Sequence, residues 1–263
     1  MLFASWLAQV EHLSPATISV YLSAVRSSHI DLGFPDPMAN CLRLPRVLRG
    51  IKRTVAGRQS PRLPITKALL NVIHSSLDMQ NADHVMFWAA CCVAFFGFLR
   101  VSEFTTNGSF NVSKHLTLAD IAVDSIANPS MIRLTIKSSK CDQFSQGSAV
   151  YLGRAHPPTC ALSAMFAYLH LRGSAPGPLF RWSRGLPLTA QDVNTHLRSI
   201  LASASIPGRY SSHSFRIGAA TAAAAAGIPD HLIKIMGRWS STAYQRYIRP
   251  SPASMADVAQ QLA

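Results

Sequence analysis

The chain has 263 residues, 48% of them hydrophobic, which is enough apolar material for one large cored domain or two modest ones and excludes a disordered chain. Only 14% of residues are charged, yet the formal net charge is +13. Few charges, mostly of one sign, point to a polyanionic partner, nucleic acid first, because Lys and Arg neutralising phosphates dominate such binding. Five scattered cysteines (Cys41, Cys91, Cys92, Cys141 and Cys160) include no Cys-x-x-Cys pair. No paired histidines stand at zinc-ligand spacing. That argues against a disulfide framework or a zinc site and for a reducing, intracellular compartment. Residues 1–10 carry no basic leader or cleavage site. The longest apolar run, residues 85–99, is about 15 residues against the roughly 20 a membrane span needs, and Arg100 follows at once. No membrane association is expected, and the run reads as a helix through a core.

In chain order, a first helix is expected over residues 3–11, starting so near Met1 that an upstream part is expected too. Ser14-Pro15 reads as an N-cap with Pro at the first helical position. Ile18, Tyr21, Leu22 and Val25 follow at helical spacing, and Gly33 marks the stop. A basic stretch comes next: Arg43, Arg46, Arg49, Lys52, Arg53, Arg58, Arg62 and Lys67, with no acid among them. Leu44, Val47, Leu48 and Ile51 give part of it an apolar face. Without counter-charges, the basic side is assigned to DNA backbone contact, carried by Arg43, Arg46, Arg49, Lys52 and Arg53. The Gly, Ser and Pro of residues 55–64 (VAGRQSPRLP) read as a linker. A boundary there divides the chain into residues 1–58 and 59–263.

Thr66 then caps a helix carrying Leu69, Leu70, Ile73 and Leu77, and the buried helix runs over about 83–98. Ile132, Leu134 and Ile136 alternate with Met131, Arg133, Thr135 and Lys137 as in a strand, which residues 149–152 can pair. The polar stretch 138–148 between them reads as a long hairpin loop. Further helices are expected near 160–172, 189–204 and 214–226. Thr189 and Asp192 form a weaker, Asp-bearing capping box in the second. The Ala run 219–226 belongs to the third as a tightly packed helix. Short helices are expected near 230–236 and 242–248, and a last one over 252–262.

The densest chemical signal lies in residues 211–250. His213 and Arg216, three apart at a helix start, share one face beside the positive end of the helix dipole, where a phosphate fits. Gly218 and the small residues after it allow close packing of that helix. Arg209, Lys234, Arg238, Arg246 and Arg249 surround the motif, against one acid, Asp230.

The order His-x-x-Arg, Gly-x-Trp, Tyr-Ile-Arg resembles the C-terminal half of the tyrosine recombinases, or phage-type integrases. The closer resemblance, through GIPDHLIKIMGRWSSTAYQRYIRP, is to the eukaryotic branch of Cryptons and tyrosine-recombinase retrotransposons. Upstream, Gly97 to Glu103 (GFLRVSE) looks like the family's first arginine motif, and LTIKSSKCD at 134–142 like its lysine-bearing hairpin. The likeness covers nearly the whole chain. It departs at the N-terminus, where the core-binding part lacks a first helix or more. The fold implied is α+β and mostly helical: a catalytic domain with a small antiparallel sheet, preceded by a truncated all-α core-binding domain.

The resemblance also implies roles. Tyr247 attacks a DNA phosphodiester and leaves a 3′-phosphotyrosyl link with a free 5′-hydroxyl. Arg100 and Arg216 bind the non-bridging oxygens. Lys140 protonates the departing oxygen, and His213 hydrogen-bonds the phosphate and helps take the tyrosine proton. Trp239 stands where most members have histidine; it can donate a hydrogen bond but cannot act as a base. Glu103 orients the site without reacting. Two choices stay open in the residues: Tyr244 against the preferred Tyr247, and Lys137 against the preferred Lys140. Tyr210 is too close to His213 to be a good candidate. No metal or other cofactor is implied. The partners implied are double-stranded DNA and further copies of the chain, as a dimer or tetramer on paired sites. Also implied is a nuclear setting, in a mobile element. The rival readings are a DNA-binding remnant without activity and, more weakly, a type IB topoisomerase.

Overall fold

The computed structural model of the chain describes residues 2–55, 61–139, 142, 146–250 and 255–256. They fall into two compact units, Met1–Pro61 and Arg62–Ala263.

The first unit holds three helices, α1 (Leu2–Gln9), α2 (Pro15–Asp31) and α3 (Leu44–Val55). Ser14 caps α2 by accepting from the Thr17 backbone N–H at 3.1 Å, with Pro15 at the first helical position, and Gly33 turns the chain at φ +79°. The helices meet over Ala4, Leu7, Ile18 and Leu44, with Leu22, Leu48 and Ile51 packed at the edge. The apolar face expected on α2 is only half used: Tyr21 and Val25 stay 49% and 37% exposed. Three short helices enclose too small a core to cover more than the Ile18 end of that stripe.

The second unit is built around one helix. The helix α4 (Lys67–Ser75) is capped by Thr66, and α5 (Ala82–Phe96) by Asn81. Every residue of α5 from Val85 to Phe95 is buried, as its unbroken apolar run requires. A short α6 (Val101–Phe104) follows, then a 3₁₀ turn (Leu118–Asp120) and strands β1 (Ile121–Val123), β2 (Met131–Ile136) and β3 (Ser148–Gly153). The sheet is antiparallel in the order β1-β2-β3, with Ile132 opposite Leu152 and Leu134 opposite Val150. Ile132, Leu134, Ile136, Val150 and Leu152 all turn inward, the period-2 pattern of a one-sided sheet. Cys160 caps α7 (Ala161–Arg172), and the Thr189–Asp192 capping box opens α8 (Ala190–Ser203). Helices α9 (His213–Ala225) and α10 (Asp230–Met236) complete the unit with a closing 3₁₀ turn (Thr242–Tyr247). The fold is therefore α+β, mostly helical, with one small antiparallel sheet. Among the described residues no helix is long and apolar enough to cross a membrane.

One strand was not anticipated, and two expectations are corrected. The edge strand β1 is too short for its alternation to register in sequence. Strand β2 stops at Ile136, so Lys137 lies just beyond it, where its ammonium is drawn to Asp120. The segment carrying Tyr244 and Tyr247 is a 3₁₀ turn and not an α-helix. The helix expected over 252–262 lies outside the described residues apart from Met255 and Ala256, which are helical.

Candidate active site

The end of α5 sets the first arginine. At Gly97 an added Cβ would stand 2.7 Å from the Val93 carbonyl oxygen and 3.1 Å from Val150, so the chain can turn there only without a side chain. Phe98 follows at φ +51°, Leu99 is buried, and Arg100 emerges as the residue that opens α6. Glu103 grips it twice: Oε2 accepts from the Arg100 backbone N–H and Oε1 from Nη1, both at 2.9 Å. The Glu103 side chain is wholly buried and also receives Arg238 Nη2, at 2.6 Å. Its carboxylate is thus enclosed between the two arginines.

The first turn of α9 supplies the next two groups. The helix sits close because Gly218 has no side chain: a Cβ there would lie 1.8 Å from the Ile65 carbonyl oxygen. The segment 62–65 is fastened along 209–214 by Leu63 N–H to the Arg209 carbonyl (3.0 Å) and Ile65 N–H to the Ser214 carbonyl (2.9 Å). Arg216 has no exposed surface. Its Nη1 and Nη2 donate to the carbonyls of Phe98 and Gly237, and its Nε is buried without a partner. Its guanidinium carbon lies 4.2 Å from the Trp239 ring centroid and 5.7 Å from that of Tyr247. Burial, reinforced by the like charge of Arg100, lowers its pKa to about 10, which leaves it charged at neutral pH.

His213 is partly buried, its ring centroid 5.1 Å from that of Tyr247. Its pKa is lowered from 6.5 to about 4, by burial first and then by the positive charges of Arg62, Arg216 and Arg100. At neutral pH it is an uncharged imidazole, able to accept a proton.

The tyrosines separate clearly. Tyr244 is buried, and its hydroxyl donates to Asp230 Oδ2 at 2.7 Å. Tyr247 is only partly buried, and its ring lies 5.1 Å from both His213 and Trp239. Thr221 fixes its backbone by donating to the Tyr247 carbonyl at 3.1 Å. Trp239 is 8% exposed and packs edge-on to Phe98, so it serves as a platform under Arg216.

Arg100, Glu103, His213, Arg216, Trp239 and Tyr247 thus converge on one place. Lys137 does not join them: its ammonium is held by Asp120 (2.7 Å) and the Val112 carbonyl (2.8 Å). Lys140 lies outside the described residues. In the first unit, Arg43, Arg46, Arg49, Lys52 and Arg53 are all exposed, and Arg46, Arg49 and Arg53 lie opposite the Leu44–Leu48–Ile51 face of α3. No group of three or more His, Cys, Asp or Glu side chains among the described residues is placed to hold a metal. The sequence reading missed the roles of Arg238, which shares Glu103, and of Arg62, whose charge acts on His213. A lone acid in an arginine-rich motif set was the available hint to the first.

No protein-family model and no curated protein matches the chain. Solved structures do. The XerH site-specific recombinase bound to palindromic difH substrate superposes at TM-score 0.67 with 17% identity, covering 98% of this chain and 68% of that one. The Tn1549 transposon integrase in complex with transposon right end DNA gives 0.65 and 16%, covering 98% and 84%. XerA recombinase gives 0.56 and 16%, covering 98% and 80%. At these identities the likeness establishes architecture: the chain has the fold of the tyrosine-recombinase catalytic domain.

Proposed function

We propose that the chain is a tyrosine recombinase of a mobile element that cuts and rejoins double-stranded DNA through a 3′-phosphotyrosyl intermediate. The observation that carries this is the convergence of Arg100, His213 and Arg216 around the Tyr247 ring, with His213 held neutral among three guanidiniums. In this reading the Tyr247 oxygen attacks phosphorus while the bond to the 5′-oxygen breaks. The phenol proton passes toward His213, and Lys140 protonates the leaving oxygen. Arg100 and Arg216 stabilise the charge that grows on the non-bridging oxygens. The Nε–H of Arg216 is the donor left for that task.

The basic side of α3 holds the DNA backbone from residues 1–58, a core-binding domain, while 59–263 form the catalytic domain. The neighbours' complexes with DNA support the choice of partner. Two or four copies assemble on paired sites in the nucleus, the setting that the sequence likeness to Cryptons implies.

A second reading, DNA binding without cutting, is favoured by one observation: both Nη groups of Arg216 are already spent on backbone carbonyls. A randomised pool of nicked suicide duplexes decides between them. The recombinase reading expects a protein–DNA adduct stable to denaturant from the wild type and none from Tyr247→Phe. Binding without any adduct supports the second reading.

A further inference from the structure

Arg238 lies one residue before Trp239, and its side chain, 13% exposed, packs against the Arg100–Glu103 pair. It gets there through a backbone at φ +55°, a region that non-glycine residues enter only at steric cost. Nη1 donates to the Gly97 carbonyl at 3.1 Å, and Nη2 donates to the Phe98 carbonyl at 3.4 Å and to Glu103 Oε2 at 2.6 Å. Arg216 donates to the same Phe98 carbonyl. The arginine-bearing turn 97–103 is therefore stitched to the segment 237–239 that leads into the tyrosine. The Glu103 carboxylate is split: Oε1 takes the Arg100 guanidinium, and Oε2 takes the Arg100 backbone N–H and Arg238.

We propose that Arg238 is a positioning residue. By holding one oxygen of Glu103, it stops the carboxylate from closing in two-pronged fashion on the Arg100 guanidinium and so presents Arg100 to an oxyanion. A carboxylate gripping the planar fork at two points is the strongest competitor for a phosphate on the same fork. With Arg238 gone, Arg100 is the guanidinium still hydrogen-bonded to the buried carboxylate, and both oxygens turn to it. The inference rests on reading the site as phosphate-binding.

The test uses the full chain with orthophosphate as the probe, its Kd measured by calorimetry. Arg238→Met weakens phosphate binding about tenfold, the scale of one charge-assisted contact. Adding Glu103→Gln to Arg238→Met restores most of the loss, because the competing carboxylate is gone. Arg238→Lys, which keeps a cation beside Glu103, stays within about threefold of wild type. A purely packing role gives the opposite sign: the double variant binds no better, or worse, and that result overturns the proposal. Should Arg238→Met fail to fold, Arg238→Gln with and without Glu103→Gln carries the same ordering. A wild type that ignores orthophosphate also overturns it. Absence of a DNA adduct, with the phosphate ordering intact, sinks only the recombinase reading.

Discussion

His213 and Arg216 share one helical turn, yet burial treats them differently. The arginine keeps its charge with no exposed surface, because two carbonyls and the Trp239 ring replace its water. The histidine, packed by Tyr247 and facing Arg62, Arg100 and Arg216, gives its proton up. This has a consequence for stability. A folded-state pKa of about 4 against 6.5 unfolded means the unfolded chain binds the proton more readily in that range. Stability contributed here is complete above about pH 6.5 and falls as the pH drops toward about 4. Urea midpoints at pH 7.5 and 5 should show that fall, and His213→Gln should flatten it; equal slopes in both proteins would place the titration elsewhere. Arg62→Gln should bring the histidine's titration, followed by NMR, back toward 6.5, and no movement would remove Arg62 from the site. The positions of His213, Arg216, Trp239 and Tyr247 were readable because they are close and ordered in sequence. The partnership of Arg238 with Glu103 was not, since the two are 135 residues apart and meet only after folding.

At the scale of elements, close approach decides the architecture. The backbone of Ile65 occupies the space a side chain at 218 would need. Gly218→Ala should therefore cost about 3 kcal/mol, read from urea unfolding, because a backbone oxygen cannot step aside as a side-chain tip can. A loss below about 0.5 kcal/mol would mean the 62–65 segment is not held there. Helix α3 makes the second case. Arg46, Arg49 and Arg53 recur at i, i+3 and i+7, so they share its outer face. Replacing all three with Ala should lower the slope of log K against log salt by about 3, at roughly one counterion per phosphate contact. Fluorescence anisotropy on a duplex of arbitrary sequence measures this, and an unchanged slope would take α3 off the DNA. Elements with long periodic patterns or clear caps, such as α2, α5, α8 and α9, were legible in advance. Strand β1 and the 3₁₀ turn at Thr242 were not, because three residues give no period and a tyrosine three positions on suits either helix type.

For the molecule as a whole, the proposed partner rests first on charge. A net charge of +13 on a chain with 14% charged residues asks for a polyanion. The architecture, found without any family-model match, is that of proteins solved on DNA. Fold alone does not give a reaction; the proposed chemistry depends on which phenol meets the phosphate. The direct measurement is to digest the covalent DNA adduct and read its nucleotide-bearing peptide by mass spectrometry. A single modified residue, Tyr247, is expected; a nucleotide on Tyr244 or on any other side chain would overturn the tyrosine assignment.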